Sequence, residues 1–121
     1  MSEHINLGKQ GEKIAYLFLR KKGYEILATN FRYEKTEIDI ICRNGNTIIF
    51  VEVKTRSTDA YGSPEEAVDL KKQDKIVHTA ERFIEVHDML GDIRFDVVSI
   101  IIDGRKSKVT HIKDAFFPYQ E

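Results

Sequence analysis

"EIDIICRNGNTIIFVEVKT", residues 37–55, decides how this chain folds. Ile38, Ile40, Ile41, Ile48, Ile49, Phe50, Val51 and Val53 are strong strand formers on either side of the polar turn Asn44-Gly45-Asn46, the pattern of a β-hairpin. Glu37 and Asp39 interrupt the first arm, and Glu52 and Lys54 the second. Burying a carboxylate or an ammonium is costly unless a partner or a metal compensates the charge. Strand side chains alternate faces, so Glu37 shares a face with Asp39, and Glu52 with Lys54. If Arg43 pairs with Asn46 around a two-residue turn, Asp39 faces Phe50 and lies diagonal to Glu52; if the loop is two residues longer, Asp39 faces Glu52 and Glu37 faces Lys54. Both registers gather all four groups on one face, whereas a one-residue shift would part them.

Working outward, "NLGKQGEKIAYLFLRKK" (6–22) predicts an amphipathic helix with Leu7, Ile14, Tyr16, Leu17 and Phe18 near one stripe and Gly23 at its end. "YEILATNFRYE" precedes the hairpin as a further strand, giving three strands in meander order. Beyond the polar "STDAYG", Ser63, Pro64 and Glu66 form a helix-start signature, although the helical period is best from about Leu70 onward. "IRFDVVSIIID" predicts a fourth strand and "SKVTHIKDAF" a shorter fifth, joined by "DGRK". The expectation is one mixed α/β domain over residues 1–121, in the order α-β-β-β-α-β-β.

Composition narrows the function classes. The net charge of −1 does not announce a polyanion binder, so any nucleic-acid contact must come from local patches. Cys42 is the only cysteine, which excludes an intramolecular disulfide and a thiolate zinc site, and its apolar neighbours suit a small buried residue. His4, His78, His87 and His111 lack ligand spacing, which leaves them surface or packing roles, and Gly8 and Gly11 follow no strand that would make a phosphate loop. No apolar signal core or membrane span is visible, so a cytoplasmic protein with no membrane partner is expected.

Carboxylates brought together repel, and a hard divalent cation relieves that repulsion while accepting oxygen ligands. Asp39 and Glu52 are the natural ligands for Mg²⁺ or Mn²⁺, and Lys54 is placed to orient a nucleophile or balance transition-state charge. Alone, Glu-x-Lys on a strand is commonly a solvated ion pair; the aligned Asp39 makes it a candidate site. On the residues alone, Glu37 is an exposed charge or a Lys54 partner, and Glu12 an ordinary helix-surface acid.

The stretches "LGKQGEKIAYLFLRKKGYEILATNFR", "EIDIIC", "IIFVEVKTR", "YGSPEEAVDLKK" and "RFDVV" resemble, over nearly the whole chain, the YraN family. Those bacterial proteins fall in the restriction-endonuclease-like PD-(D/E)xK nuclease superfamily and are similar to archaeal Holliday-junction resolvases. The resemblance implies a restriction-endonuclease-like core in which Asp39, Glu52 and Lys54 take the places of the superfamily's aspartate, glutamate and lysine. It also implies that Glu12 matches the first-helix glutamate completing the resolvase-like site. The family pattern carries glycine before the glutamate of "EIDII", where this chain has Thr36, a departure that bears on the local turn.

The resulting expectation is a metal-dependent endonuclease acting on DNA, in branched or flapped form, with Asp39 and Glu52 holding Mg²⁺ or Mn²⁺, Glu12 or Glu37 assisting, and Lys54 as the catalytic cation. Arg32, Arg56 and Lys71 are candidate phosphate contacts. Resolvase-like relatives cut two opposed strands as dimers, so the resemblance admits a homodimer. The rival is a non-catalytic module that keeps the nuclease fold to bind nucleic acid or protein.

Overall fold

A computed structural model describes residues 3–57 and 69–116. Helix α1 (Glu3–Lys21) leads into β1 (Glu25–Tyr33), β2 (Thr36–Asn44) and β3 (Thr47–Arg56); α2 (Leu70–His87) then crosses to β4 (Asp92–Asp103) and β5 (Lys106–Phe116). The five strands form one sheet in sequence order, antiparallel except for the central parallel pair β3–β4. This is the expected mixed α/β order, compatible with a restriction-endonuclease-like core. The Ser63-Pro64-Glu66 signature lies outside the described residues. Among those described, α2 begins at Leu70, where Asp69 caps it by accepting from the Lys72 N–H at 2.8 Å.

The hairpin closes around Gly45-Asn46, with Asn44 opposite Thr47 and Ile40 opposite Val51. The turn is therefore two residues long and displaced by one position from the Arg43–Asn46 pairing. It needs no longer loop to run toward the register that sets Asp39 against Glu52. Gly45 supplies the left-handed backbone, φ 60°, that such a tight turn requires.

β3 and β4 are covered on both faces, which is why they read as almost continuous apolar runs. On one face, Ile76, Ala80 and Phe83 of α2 pack on Ile41, Ile48, Phe50, Phe95 and Val97. On the other, Ala15 and Leu19 of α1 pack on Ile40, Cys42, Ile49, Val51, Val98 and Ile100. Cys42 is buried as expected, and burial pushes its thiol up to about 12. Leu17, assigned above to the packed stripe of α1, is instead 52% exposed. Ile14, Tyr16 and Phe18 of that stripe do pack on the sheet, partly buried, beside a buried line of Gly11, Ala15 and Leu19, spaced by four, whose small residues let the helix lie close.

That closeness is greatest at Gly11, where an added Cβ would run into the Thr55 hydroxyl of β3. Gly8, on the same helix, has no atom within 4 Å of a built Cβ. Alanine is otherwise about 1 kcal/mol better than glycine inside a helix. Urea unfolding is therefore expected to show Gly8→Ala neutral or stabilised, and Gly11→Ala destabilised by about 1–3 kcal/mol. Equal effects at the two positions would show that α1 does not depend on this contact.

Candidate active site

Where β2 and β3 part beside the first turns of α2, a cavity of about 580 Å³ opens, with Glu37, Asp39, Glu52 and Lys54 in its wall. All four side chains singled out from the hairpin thus line one space. The β2–β3 pairing runs as far as Ile40–Val51, and the Val53 N–H donates to Asp39 Oδ2 at 2.8 Å. The carboxylate takes the bond that a strand partner would otherwise accept, which fixes it against β3.

Glu52 is only 3% exposed, and its Oε1 is buried with no hydrogen-bond partner among the described residues. Its Oε2 lies 3.7 Å from Lys72 Nζ. Burial and then the Asp39 charge push the Glu52 carboxyl up to about 8, against the opposing pull of Lys72 and Lys54. Burial likewise raises Asp39 to about 6; the Val53 N–H works against that rise, while Glu12 and Glu37 add to it. Lys54 is held below its usual range by desolvation and by Lys72.

A buried carboxylate oxygen without a partner is the kind of vacancy in bonding that a cation fills. Among the described residues, no three Asp, Glu, His or Cys side chains are gathered at metal-ligand separations. Two carboxylates do suit Mg²⁺, which keeps several waters and takes further oxygens from phosphate.

Comparison with known proteins gives the family. Residues 11–100 match the uncharacterised protein family UPF0102. The chain belongs to the UPF0102 family. It is similar to the UPF0102 protein of Christiangramia forsetii, 45% identical over 97% of this chain and 98% of that one. It is also similar to the UPF0102 protein of Caldicellulosiruptor bescii, 51% identical over 91% of this chain and 96% of the other. The relative from Flavobacterium psychrophilum is 40% identical across 98% of this chain and 100% of its own. YraN is a name of the same family, so the family part of the resemblance holds.

The other anticipated residues of this UPF0102 chain fall in several places. Glu12, on α1, reaches the rim through Asn30, whose Nδ2 donates to Glu12 Oε1 at 3.0 Å and to Glu37 Oε1 at 2.9 Å. Glu37 also receives Arg32 at 3.2 Å, so its partners are Asn30 and Arg32 and not Lys54. Lys71 lines the cavity, whereas Arg32 and Arg56 are absent from its wall.

One residue escaped the sequence reading: Asn30, a non-glycine residue at φ 52° inside β1, a conformation asparagine tolerates better than most. Lys72 belongs to the basic run Lys71, Lys72 and Lys75, a candidate patch in the sequence, but its pairing with Glu52 is visible only in the structure. Lys71 and Lys72 stand in the first turn of α2, where no acid sits and the helix dipole disfavours cations by about 0.3–1 kcal/mol each.

The two raised carboxyls set a pH dependence. Each holds its proton more tightly in the folded chain than in the unfolded one. From the ordinary carboxylate range up to about 8 the folded state carries the extra proton, so its stability falls as pH rises. With divalent ions chelated, urea midpoints are expected to drop between about pH 5 and about pH 9, and Glu52→Gln to flatten that drop. A drop of the same size in the variant would remove Glu52 as its origin.

Proposed function

We propose that this protein is a metal-dependent endonuclease that hydrolyses phosphodiester bonds of DNA, in branched or flapped form. One observation carries the reading: the buried, half-unpartnered Glu52 carboxylate stands beside Asp39 in a wall that also presents Lys54 and Lys72. A structural ion pair would be expected to lower the pKa, whereas Glu52, buried beside Asp39 and sharing a side-chain hydrogen bond with it, is raised to about 8.

Asp39 and Glu52 would hold Mg²⁺ or Mn²⁺, with Glu12 and Glu37 at the rim as outer support. Such an ion supplies Lewis-acid stabilisation of phosphoryl charge. The chain's own groups do the rest. The Val53 N–H keeps Asp39 in one orientation, so the carboxylate need not reorganise when charge develops. Lys54, half-buried, offers N–H donors to a non-bridging phosphoryl oxygen or to the attacking water, in a site where low polarity strengthens each contact. Lys71, Lys72 and Lys75 present positive charge to the flanking phosphates from the start of α2.

Protons compete with the cation for Asp39 and Glu52, so cation binding should strengthen with pH up to about 8. Thermal unfolding is expected to show Mg²⁺ or Mn²⁺ raising Tm more on the basic side than near about pH 5, with no such rise in Glu52→Gln. On labelled linear, flapped and four-way-junction DNA, wild type should cut with Mg²⁺ or Mn²⁺, and Glu52→Gln and Lys54→Ala should each lose about 100-fold or more. Cutting that survives both substitutions would rule out this site. DNA binding without cutting would assign the chain to the non-catalytic alternative.

A further inference from the structure

A second cavity, about 430 Å³, adjoins the first and shares Lys35, Thr36 and Lys75 with it. Its wall adds Tyr33, the last residue of β1, and the exposed His78 of α2. The two rings lie 5.7 Å apart at 47°, and the Arg82 guanidinium sits 5.4 Å from the Tyr33 ring centre. Nothing in the proposed chemistry uses this cluster. Its volume falls in the range of single-ligand sites, about 300–1,000 Å³.

Resting on the endonuclease reading, we propose that this cavity is a stacking subsite for one unpaired nucleobase next to the phosphate being cut. A polynucleotide with a phosphate in the first cavity must run on past one of its walls. The Lys35–Thr36–Lys75 wall leads directly to the paired rings. Aromatic and guanidinium faces flanked by lysines are the elements with which proteins hold single-stranded nucleic acid without reading its sequence. Glu34 and Asp74 also line the space, and their charge disfavours a phosphate there while leaving an uncharged base welcome. A base inside an intact duplex is already stacked on both sides, so the subsite takes one that is unpaired or extruded. The substrate class that follows is nucleic acid with a single-stranded residue at the cut, read by shape.

The test uses a duplex carrying 2-aminopurine as its single unpaired residue, and the same duplex with that residue paired, both with divalent ions chelated. Wild type should bind the unpaired form about tenfold more tightly than the paired one and quench its fluorescence. His78→Ala and Tyr33→Leu should abolish the preference and the quenching, while His78→Phe should keep both because it keeps a ring. None of the three should alter the Glu52-dependent metal stabilisation, which also reports that they fold. Equal affinity for the two duplexes, or quenching unchanged in His78→Ala and Tyr33→Leu, overturns the subsite. If Glu52-dependent cutting persists in that case, the endonuclease reading stands without it. If wild type neither binds these duplexes nor gains stability from metal, both fail.

Discussion

At Asp39 the β2–β3 ladder gives way to a side chain: the Val53 N–H donates to a carboxylate where a strand carbonyl would serve elsewhere in the sheet. The rest of the site depends on that exchange. It parts the strands far enough to open a cavity without leaving a backbone donor unpaired. It also locks Asp39 beside Glu52, so their repulsion cannot relax by rotation of Asp39. On the β1 side, Asn30 takes a left-handed φ between the Thr29–Ile40 and Phe31–Ile38 pairs. Near the same point, Ile38 joins the core under α2 while Ile40 joins the core under α1, although strict alternation would put them together.

The sheet buries a second carboxylate, and the contrast says which one the fold has finished. Asp96, fully buried on β4, receives both arms of Arg94 at 2.9 Å, His111 at 2.7 Å and the Asp114 N–H at 3.1 Å. Burial alone would raise its pKa, yet the bonds from His111, Arg94 and Asp114 outweigh that and hold it below the ordinary range. Asp114 itself sits at φ 53° where the β4–β5 register slips, so Asp96 also ties down an irregular stretch of β5. Removing one partner from such a network leaves a buried charge uncompensated, which accounts for its structural value. Glu52, about as deeply buried, has one oxygen without a partner and a raised pKa. Two acids in neighbouring strands thus meet opposite electrostatic surroundings, and the difference is hard to explain by stability alone.

How much of this could be read in the sequence follows from which residues carry a strong local signal. The hairpin was legible because β-branched runs flank Asn44-Gly45-Asn46, and the alternation of its polar residues placed Glu37, Asp39, Glu52 and Lys54 together. On α1, Ile14, Tyr16 and Phe18 pack as their pattern indicates, but Leu17 stays half in solvent and the buried line was missed because Gly11 and Ala15 weigh little in any hydrophobic pattern. Asn30 was invisible because its importance lies in a backbone angle and two bonds to residues 18 and 7 positions away. His111 shows the same limit. Its spacing gives no ligand signal, yet three-dimensional packing places it between Asp96 and Lys22.

A chain of net charge −1 can still address a polyanion if its charge is unevenly spread, and here the unevenness is local and finely balanced. Among the described residues the first cavity presents five lysines, at 35, 54, 71, 72 and 75, and four acids, at 37, 39, 52 and 69. With every acid ionised the lysines barely prevail, and a phosphate nearing Asp39 and Glu52 meets repulsion at short range. A proton or a divalent cation on that pair tilts the balance toward the lysines. On the endonuclease reading, the proton held by the metal-free pair and the cation that replaces it both leave the lysines free to meet the anionic backbone before any chemistry occurs.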